Sequence, residues 1–241
     1  SSLNMNIEGE DKKEENISSI KNVNWDTFEL KLAPEDFFLF GAGFGDNDAD
    51  MIPVSEIYFT WDSGKPMPVK NVILIPATSV KGAISHRVAY HYNRLNDFRI
   101  RKVDDKYIVD DNAKTGSENN AVKALFGYIT KGSDEEKTER GNVIISDVIQ
   151  KKDEEKEKIL NHVAIDRFTG GAIDGALFSE KVIYGKPENS ETFPYSITLK
   201  INKKAFLDKM VKPALIEVFK DITSGMLPLG GGVNRGHGVF T

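Results

Sequence analysis

Apolar and polar residues alternate from Thr27 onward, so that Phe28, Leu30 and Leu32 fall on one side, and this period of two predicts a strand. The chain stays extended through "FFLFGAGFGD" and breaks there into a glycine loop. Past Pro66 and Pro68, "VILIP" predicts a short, wholly apolar strand, and Thr78 or Ser79 is placed to cap a helix after it. In that helix Val80, Ile84, Val88, Tyr92 and Leu95 form one amphipathic stripe, with Lys81, Arg87 and Arg94 off it. Residues 103–119 are polar and read as an insertion. "NAVKALFG" predicts a short helix closed by Gly127. "GNVIISDVIQ" predicts a strand, and "NHVAIDRFTGGAIDGALFSEKVIYG" predicts a projecting hairpin around a glycine-bearing loop. "FPYSITLKI" alternates as a further strand. Pro213 suits the first turn of a helix that carries Leu215, Val218, Phe219 and Ile222 inward and ends at Gly225, and "GVF" begins a last strand. The order strand, long helix, strand, strand, helix, strand predicts an α+β fold of the ferredoxin-like kind with insertions.

With 241 residues and 39% hydrophobic content, the chain is long enough for one elaborated domain. We assign it to 21–241, with insertions near 103–119 and 151–160, and read residues 1–20 as a polar, acidic tail. The absence of cysteine excludes disulfides and thiolate metal sites and makes a reducing cytoplasmic setting the simplest expectation. No stretch approaches the roughly 18 apolar residues of a membrane span. The net charge of −5 argues mildly against nucleic acid. Its distribution matters more: residues 63–102 hold eight basic residues against Asp97 alone, a local excess of +7. The compensating acidic runs, "EGEDKKEE", "SDEEKTE" and "KKDEEKEK", read as solvated loops.

The stretch "LPLGGGVNRGHGVF" (227–240) removes side chains from a short length of backbone, which lets N–H groups approach a ligand closely, and phosphate is the usual one. Two familiar loops are excluded. No Lys-Ser or Lys-Thr pair follows the glycines, as a Walker A loop requires. The loop follows a helix instead of a strand, and Arg235 stands where a dinucleotide loop counted from Gly230 has its third glycine. A glycine-rich turn packed on the preceding helix remains the alternative. "IPATSVKGAISHR" adds Lys81 and Arg87 on the first turns of a helix, where the dipole favours phosphate, and "AIDRFTGGA" adds Arg167 in the hairpin.

These pieces together resemble the RAMP superfamily of CRISPR-associated proteins, and within it the repeated backbone subunits of type III effector complexes. The resemblance rests on "GAGFGDNDADMIPVS", "IPATSVKGAISHR", "ALFG", "GNVIISD", "VAIDRFTGGAIDGALFSEKVIYG" and "GMLPLGGGVNRGHG", in the family's order over about residues 28–240. It implies an RNA-recognition-like core that holds guide RNA by its backbone, with a thumb hairpin near 165–185 interrupting the guide–target duplex. By position it implies RNA contacts at Ser79, Lys81, Gly82, Arg87, Arg167, Thr169, Gly231, Gly232, Arg235, Gly236, His237 and Gly238. The implied partners are guide RNA, complementary target RNA, other effector subunits and further copies of this chain. Recognition of that kind reads shape and phosphate, because base pairing carries the sequence.

Family members that cut target RNA use an aspartate shortly before Pro-Val together with a divalent metal. Here Asp50 lies closest to Pro53-Val54, with two residues between where one is common, and Asp48 is the second choice. The implied chemistry is attack of a ribose 2′-hydroxyl on the adjacent phosphate, with Asp50 taking the proton or positioning hydrated Mg²⁺ or another divalent cation. Asp46, Asp48 and Asp50 show the D-x-D-x-D spacing of a calcium loop, but no glycine stands at position six. A non-catalytic structural or capping subunit is the alternative. A third possibility, guide-precursor processing, would use histidine as general base. His86 and His91 stand five apart, off the i, i+4 spacing of a helical metal pair, and His162 and His237 are expected in loops.

Overall fold

The computed structural model describes residues 24–98, 100–103, 105–130, 137–151, 156–185 and 195–241. The expected tail at 1–20 lies outside them, as do parts of the acidic runs at 133–139 and 151–158. The architecture is mixed α/β with mostly antiparallel strands.

β1 (Trp25–Leu32) pairs antiparallel with β13 (Tyr195–Asn202), which pairs antiparallel with β9 (Val143–Ile145). Outside β1, Pro34 bridges Phe240, and the backbones of Ala33 and Thr241 exchange hydrogen bonds of 2.8 and 2.9 Å. The order across this sheet is therefore 239–241, β1, β13, β9. Two helices supply the connections. α1 (Ala77–Leu95) lies between β1 and β9 in sequence, α3 (Val211–Thr223) between β13 and 239–241, and the two pack on each other. Alternation along β13 buries Tyr195, Ile197, Leu199 and Ile201 and exposes Ser196 and Lys200, so one face of the sheet meets the helices. Leu30 and Leu32 of β1 join this core with Ile84, Val88, Leu215, Val218 and Ile222. Phe28 packs on Phe219 with ring centroids 5.3 Å apart.

The run at 141–150, expected as one strand, is two. β9 ends at Ile145, the chain kinks at Ser146–Asp147, and β10 (Val148–Lys151) joins a second sheet of order β10–β4–β3. The kink places the Asp147 carboxylate at the start of α1, where it accepts the Ala77 N–H at 2.6 Å. Helix α1 begins after Pro76, and neither Thr78 nor Ser79 caps it: the cap comes from 70 residues away. Leu95, expected on the apolar stripe, is 37% exposed at the frayed end, and His91 is buried.

"VILIP" is the inner end of a long strand, β4 (Lys65–Ile75), which forms a hairpin with β3 (Ser55–Asp62). Pro66 and Pro68 hid this ribbon by reading as strand breakers. A further hairpin, β5 (Ile100–Val103) with β6 (Lys106–Val109), occupies part of the expected insertion. The segment after it is tied to α1, since Asn93 and the buried Asn119 both donate to the Lys114 carbonyl. α2 (Asn120–Phe126) is closed by Gly127, as its sequence predicts, and is capped by Asn119. β7 (Gly127–Thr130) and β8 (Lys137–Arg140) make a short ribbon. β11 (Glu157–Ile165) and β12 (Ala172–Tyr184) form the projecting hairpin, and β12 also pairs with β2 (Phe37–Phe38). No helix among the described residues is long and apolar enough to cross a membrane.

Candidate nucleic-acid interface

Four consecutive residues of β12 hold the two loops that the sequence marks for chemistry. Successive side chains of a strand point to opposite faces, so Phe178 and Glu180 share one side and Ser179 and Lys181 the other. On the first side lies the C-terminal glycine loop. Glu180 is completely buried; it accepts a hydrogen bond from Arg235 Nη2 at 2.6 Å and is hydrogen-bonded to His162 Nε2 at 2.8 Å, while His237 Nδ1 lies 3.5 Å away without a hydrogen-bond partner among the described residues. Phe178 stacks on His162, centroids 4.8 Å apart, and the Arg235 guanidinium lies 5.5 Å from the Phe178 ring centre. A carboxylate without water is tolerable only where cations and donors surround it, and this one has them.

The loop's glycines serve that packing first. Gly232 has φ +71°, and a Cβ there would sit 2.5 Å from His237 Nδ1 and 3.3 Å from Arg235 Nη2. A Cβ on Gly238, at φ +79°, would sit 2.1 Å from the Leu229 carbonyl oxygen. Much of the loop backbone is also spent inside the protein: Gly231 donates to Leu39, Gly238 to Phe37, Leu229 to Gly238, and Arg235 and His237 both to Gly232. Among the described residues, the successive N–H groups of Gly232, Val233 and Asn234 have no protein acceptor, and Val233 and Asn234 are exposed. Gly236 faces open space. The His237 ring is 4% exposed and turned inward, edge-on to Phe37 at 5.8 Å. Burial holds its pKa below the ordinary value, with the Glu180 charge pulling the other way.

On the other side of β12 lies the acidic loop. Met51 pairs with Glu180 as a parallel bridge, anchored by Met51 N–H to Ser179 O at 3.1 Å and Lys181 N–H to Met51 O at 2.8 Å. Asp50 Oδ2 accepts the Ser179 N–H at 2.7 Å and its hydroxyl at 3.0 Å, and these two bonds lower the Asp50 pKa. Asp46 accepts from Lys181 Nζ at 2.7 Å and from the N–H groups of Asp48 and Ala49, which lowers its pKa to about 2. Asp48 stays exposed, 3.6 Å from Lys181 Nζ. Among the described residues no three acidic or histidine side chains are grouped to hold a metal ion. A cation here would have Asp50 as a single protein anchor, through its Oδ1, which accepts no hydrogen bond among the described residues.

The remaining expected residues lie apart. Ser79, Lys81 and Gly82 are exposed on the first turns of α1, with open space over Gly82 and Lys81 Nζ 5.6 Å from the Phe126 ring centre. Arg87 is engaged: its Nε donates to Asp221 of α3 at 2.5 Å, and the same oxygen meets His91 Nε2 at 2.7 Å. Arg167 and Thr169 sit at the hairpin tip, where the Asp166 carboxylate accepts from the N–H groups of Phe168 and Thr169 and from the Thr169 hydroxyl. Ala172, at the outer end of β12, is eight residues and hence about 26 Å along the strand from Glu180. His162, expected in a loop, is on β11.

Sequence reasoning missed Glu180, His162 as its partner, Ser179, Lys181, Asp147 and Asp221. Alternation in "GALFSEKV" places Phe178 and Glu180 on one face, but nothing local couples them to Arg235, 55 residues on. Comparison with family models matches the chain to the RAMP superfamily over residues 38–241. A search of curated proteins finds no match.

Proposed function

Because the chain belongs to the RAMP superfamily, whose members bind CRISPR RNA and work in multi-subunit complexes, we propose that it is a guide-RNA-binding subunit of a type III interference assembly, of the repeated backbone kind. The observation that carries this reading is the run of successive N–H groups at Gly232, Val233 and Asn234 without a protein acceptor among the described residues, a backbone stretch suited to an anion and lying beside the Glu180 cluster. Exposed Ser79 and Lys81 and the open backbone at Gly82 offer a second phosphate contact on α1. Arg235 and His237, whose side chains face Glu180, act as positioning residues for the loop. The strand order 239–241, β1, β13, β9 with crossovers through α1 and α3 supports a ferredoxin-like core. The β11–β12 hairpin, with Phe168 99% exposed at its tip, suits a thumb that wedges between bases.

Target cleavage, in this reading, belongs to Asp50. Its lowered pKa makes it a poor proton acceptor at neutral pH, so it acts as an ionised anchor. Mg²⁺ bound there would be held mainly by water and RNA phosphate, and would supply charge stabilisation at the phosphate under attack. Ser179, through its N–H and its hydroxyl, fixes the direction in which the Asp50 carboxylate faces.

The test uses the guide-loaded assembly with labelled target RNA. Lys81→Ala should weaken RNA binding across sequences and reduce the salt slope by about one; an unchanged slope would remove α1 from the interface. Asp50→Ala should abolish regularly spaced cuts at unchanged target affinity, while Asp48→Ala keeps them. Binding without any cutting by the native chain would leave a scaffold subunit and retire the catalytic role.

A further inference from the structure

The β3–β4 ribbon leaves one edge open and closes the other. A two-residue turn joins its strands, with Ser63 at φ 49° and Gly64 at φ 77°, the left-handed pair of a type I′ turn. In such a hairpin the flanking residues Asp62 and Lys65 are a hydrogen-bonded pair, and the pairs alternate from there. Trp61↔Pro66 and Phe59↔Pro68 are then the non-bonded pairs, whose backbone groups point away from the partner strand. On β4 those outward positions are the two prolines, which have no N–H to give. On β3 they are Phe59 and Trp61, whose N–H and C=O groups face outward on a strand that has no second neighbour among the described residues. Proline on an exposed edge is a usual device against unwanted pairing, and here it protects one edge only.

Side chains on the open strand reinforce the contrast. Ile57, Phe59 and Trp61 share one face and are 59, 53 and 74% exposed. Glu56 and Asp62 flank this apolar run with carboxylates, and β3 contains no lysine, arginine or proline. Residues 55–69 carry those two acids against Lys65, so phosphate is not what this ribbon attracts. A second β3 is a poor occupant as well. Pairing two copies about Phe59, the register that covers both apolar runs fully, sets Glu56 opposite Asp62 at each end with no cation from either strand.

We propose that the open edge of β3 is a strand-addition site for an extended segment of another protein, one whose alternate residues are apolar and whose two ends are basic. The segment's backbone bonds to the outward groups of Phe59 and Trp61. Its apolar side chains cover Ile57, Phe59 and Trp61, and its basic ends meet Glu56 and Asp62. This site is separate from the RNA surfaces described above.

The experiment uses the full chain and three synthetic peptides: alternating valine and threonine with a lysine at each end, the same core with glutamate ends, and the lysine-ended peptide N-methylated along one bonding edge. Fluorescence anisotropy of the labelled peptides gives affinity, and hydrogen exchange reports the Phe59 and Trp61 amides. The lysine-ended peptide should bind roughly tenfold tighter than the glutamate-ended one and slow exchange at both amides, and N-methylation should remove binding. Phe59→Pro blunts the edge without deleting a β3–β4 hydrogen bond, so it should lose the peptide while RNA affinity stays. Absence of lysine-ended binding, equal affinity for both peptide ends, or binding that survives N-methylation overturns the proposal. Concentration-dependent self-association that Phe59→Pro abolishes also overturns it, in favour of a second copy. The N-methylated peptide leaves the protein untouched, so the outcome stands even if the proline variant folds poorly.

Discussion

Two carboxylates in this chain are each held by one arginine and by histidine, and they do different work. Asp221 on α3 takes Arg87 and His91, which stand four apart on α1, and its side chain keeps 17% exposure. Glu180 on β12 takes Arg235 from the glycine loop and His162 from β11, with His237 close by, and has no exposure at all. The first cluster rivets two helices that already share an apolar interface. The second joins three segments of which one is a loop with little apolar contact of its own. A buried charge is costly to maintain and more costly to strand, so its placement against the glycine loop adds a side-chain anchor at Arg235 to the backbone bonds that tie the loop to Phe37 and Leu39.

Removing each carboxylate in turn breaks that comparison most sharply. Glu180→Ala leaves Arg235 and His162 without their partner and should cost about 3 kcal/mol, a drop in thermal midpoint of roughly 6–12 °C for a chain of this size. Asp221→Ala should cost less, about 2 kcal/mol, because Arg87 can turn to water and α1 still packs on α3. RNA affinity separates the two further. It should fall with Glu180→Ala, because the N–H groups at 232–234 lose their support. It should hold with Asp221→Ala, which also releases the Arg87 guanidinium. Thermal denaturation and RNA titration on both variants check this, and equal loss of RNA binding would mean that the Glu180 cluster has no special hold on the loop.

The same pair shows what was legible. Arg87 and His91 share a helix at i, i+4, a spacing that puts them on one face, but nothing local points to Asp221, the partner that joins them. The core strands and helices were read from alternation and from the apolar stripe because both are local and both are decided by burial. Failures fell where a distant residue decides the outcome. Asp147 caps α1 in place of Thr78 or Ser79, Glu180 supplies the partner of Arg235, and the prolines of β4 sit harmlessly on an outward register that only the hairpin pairing defines. The glycine loop was marked correctly as special, yet Gly232 and Gly238 owe their identity to contacts with His237 and Leu229.

The smallest expected effect concerns protons. Burial keeps the His237 pKa below its ordinary 6.5, and Arg235 and His162 push the same way, while Glu180 and Asp36 oppose them. The folded ring is therefore neutral at a pH where the unfolded chain has already taken up a proton. Stability from this site is complete above about pH 6.5 and is lost as pH falls from there through the folded value. Asp221 is held by Arg87 and His91 and keeps its pKa below the ordinary value, so its contribution declines only at lower, carboxylate pH. Between about pH 7.5 and 5.5 the thermal midpoint should slope downward with acidity, and His237→Gln should flatten that slope while Asp221→Ala leaves it. A slope that persists in His237→Gln would place the proton uptake away from this ring and would remove the loop side of the Glu180 cluster as the pH-sensitive element of the fold.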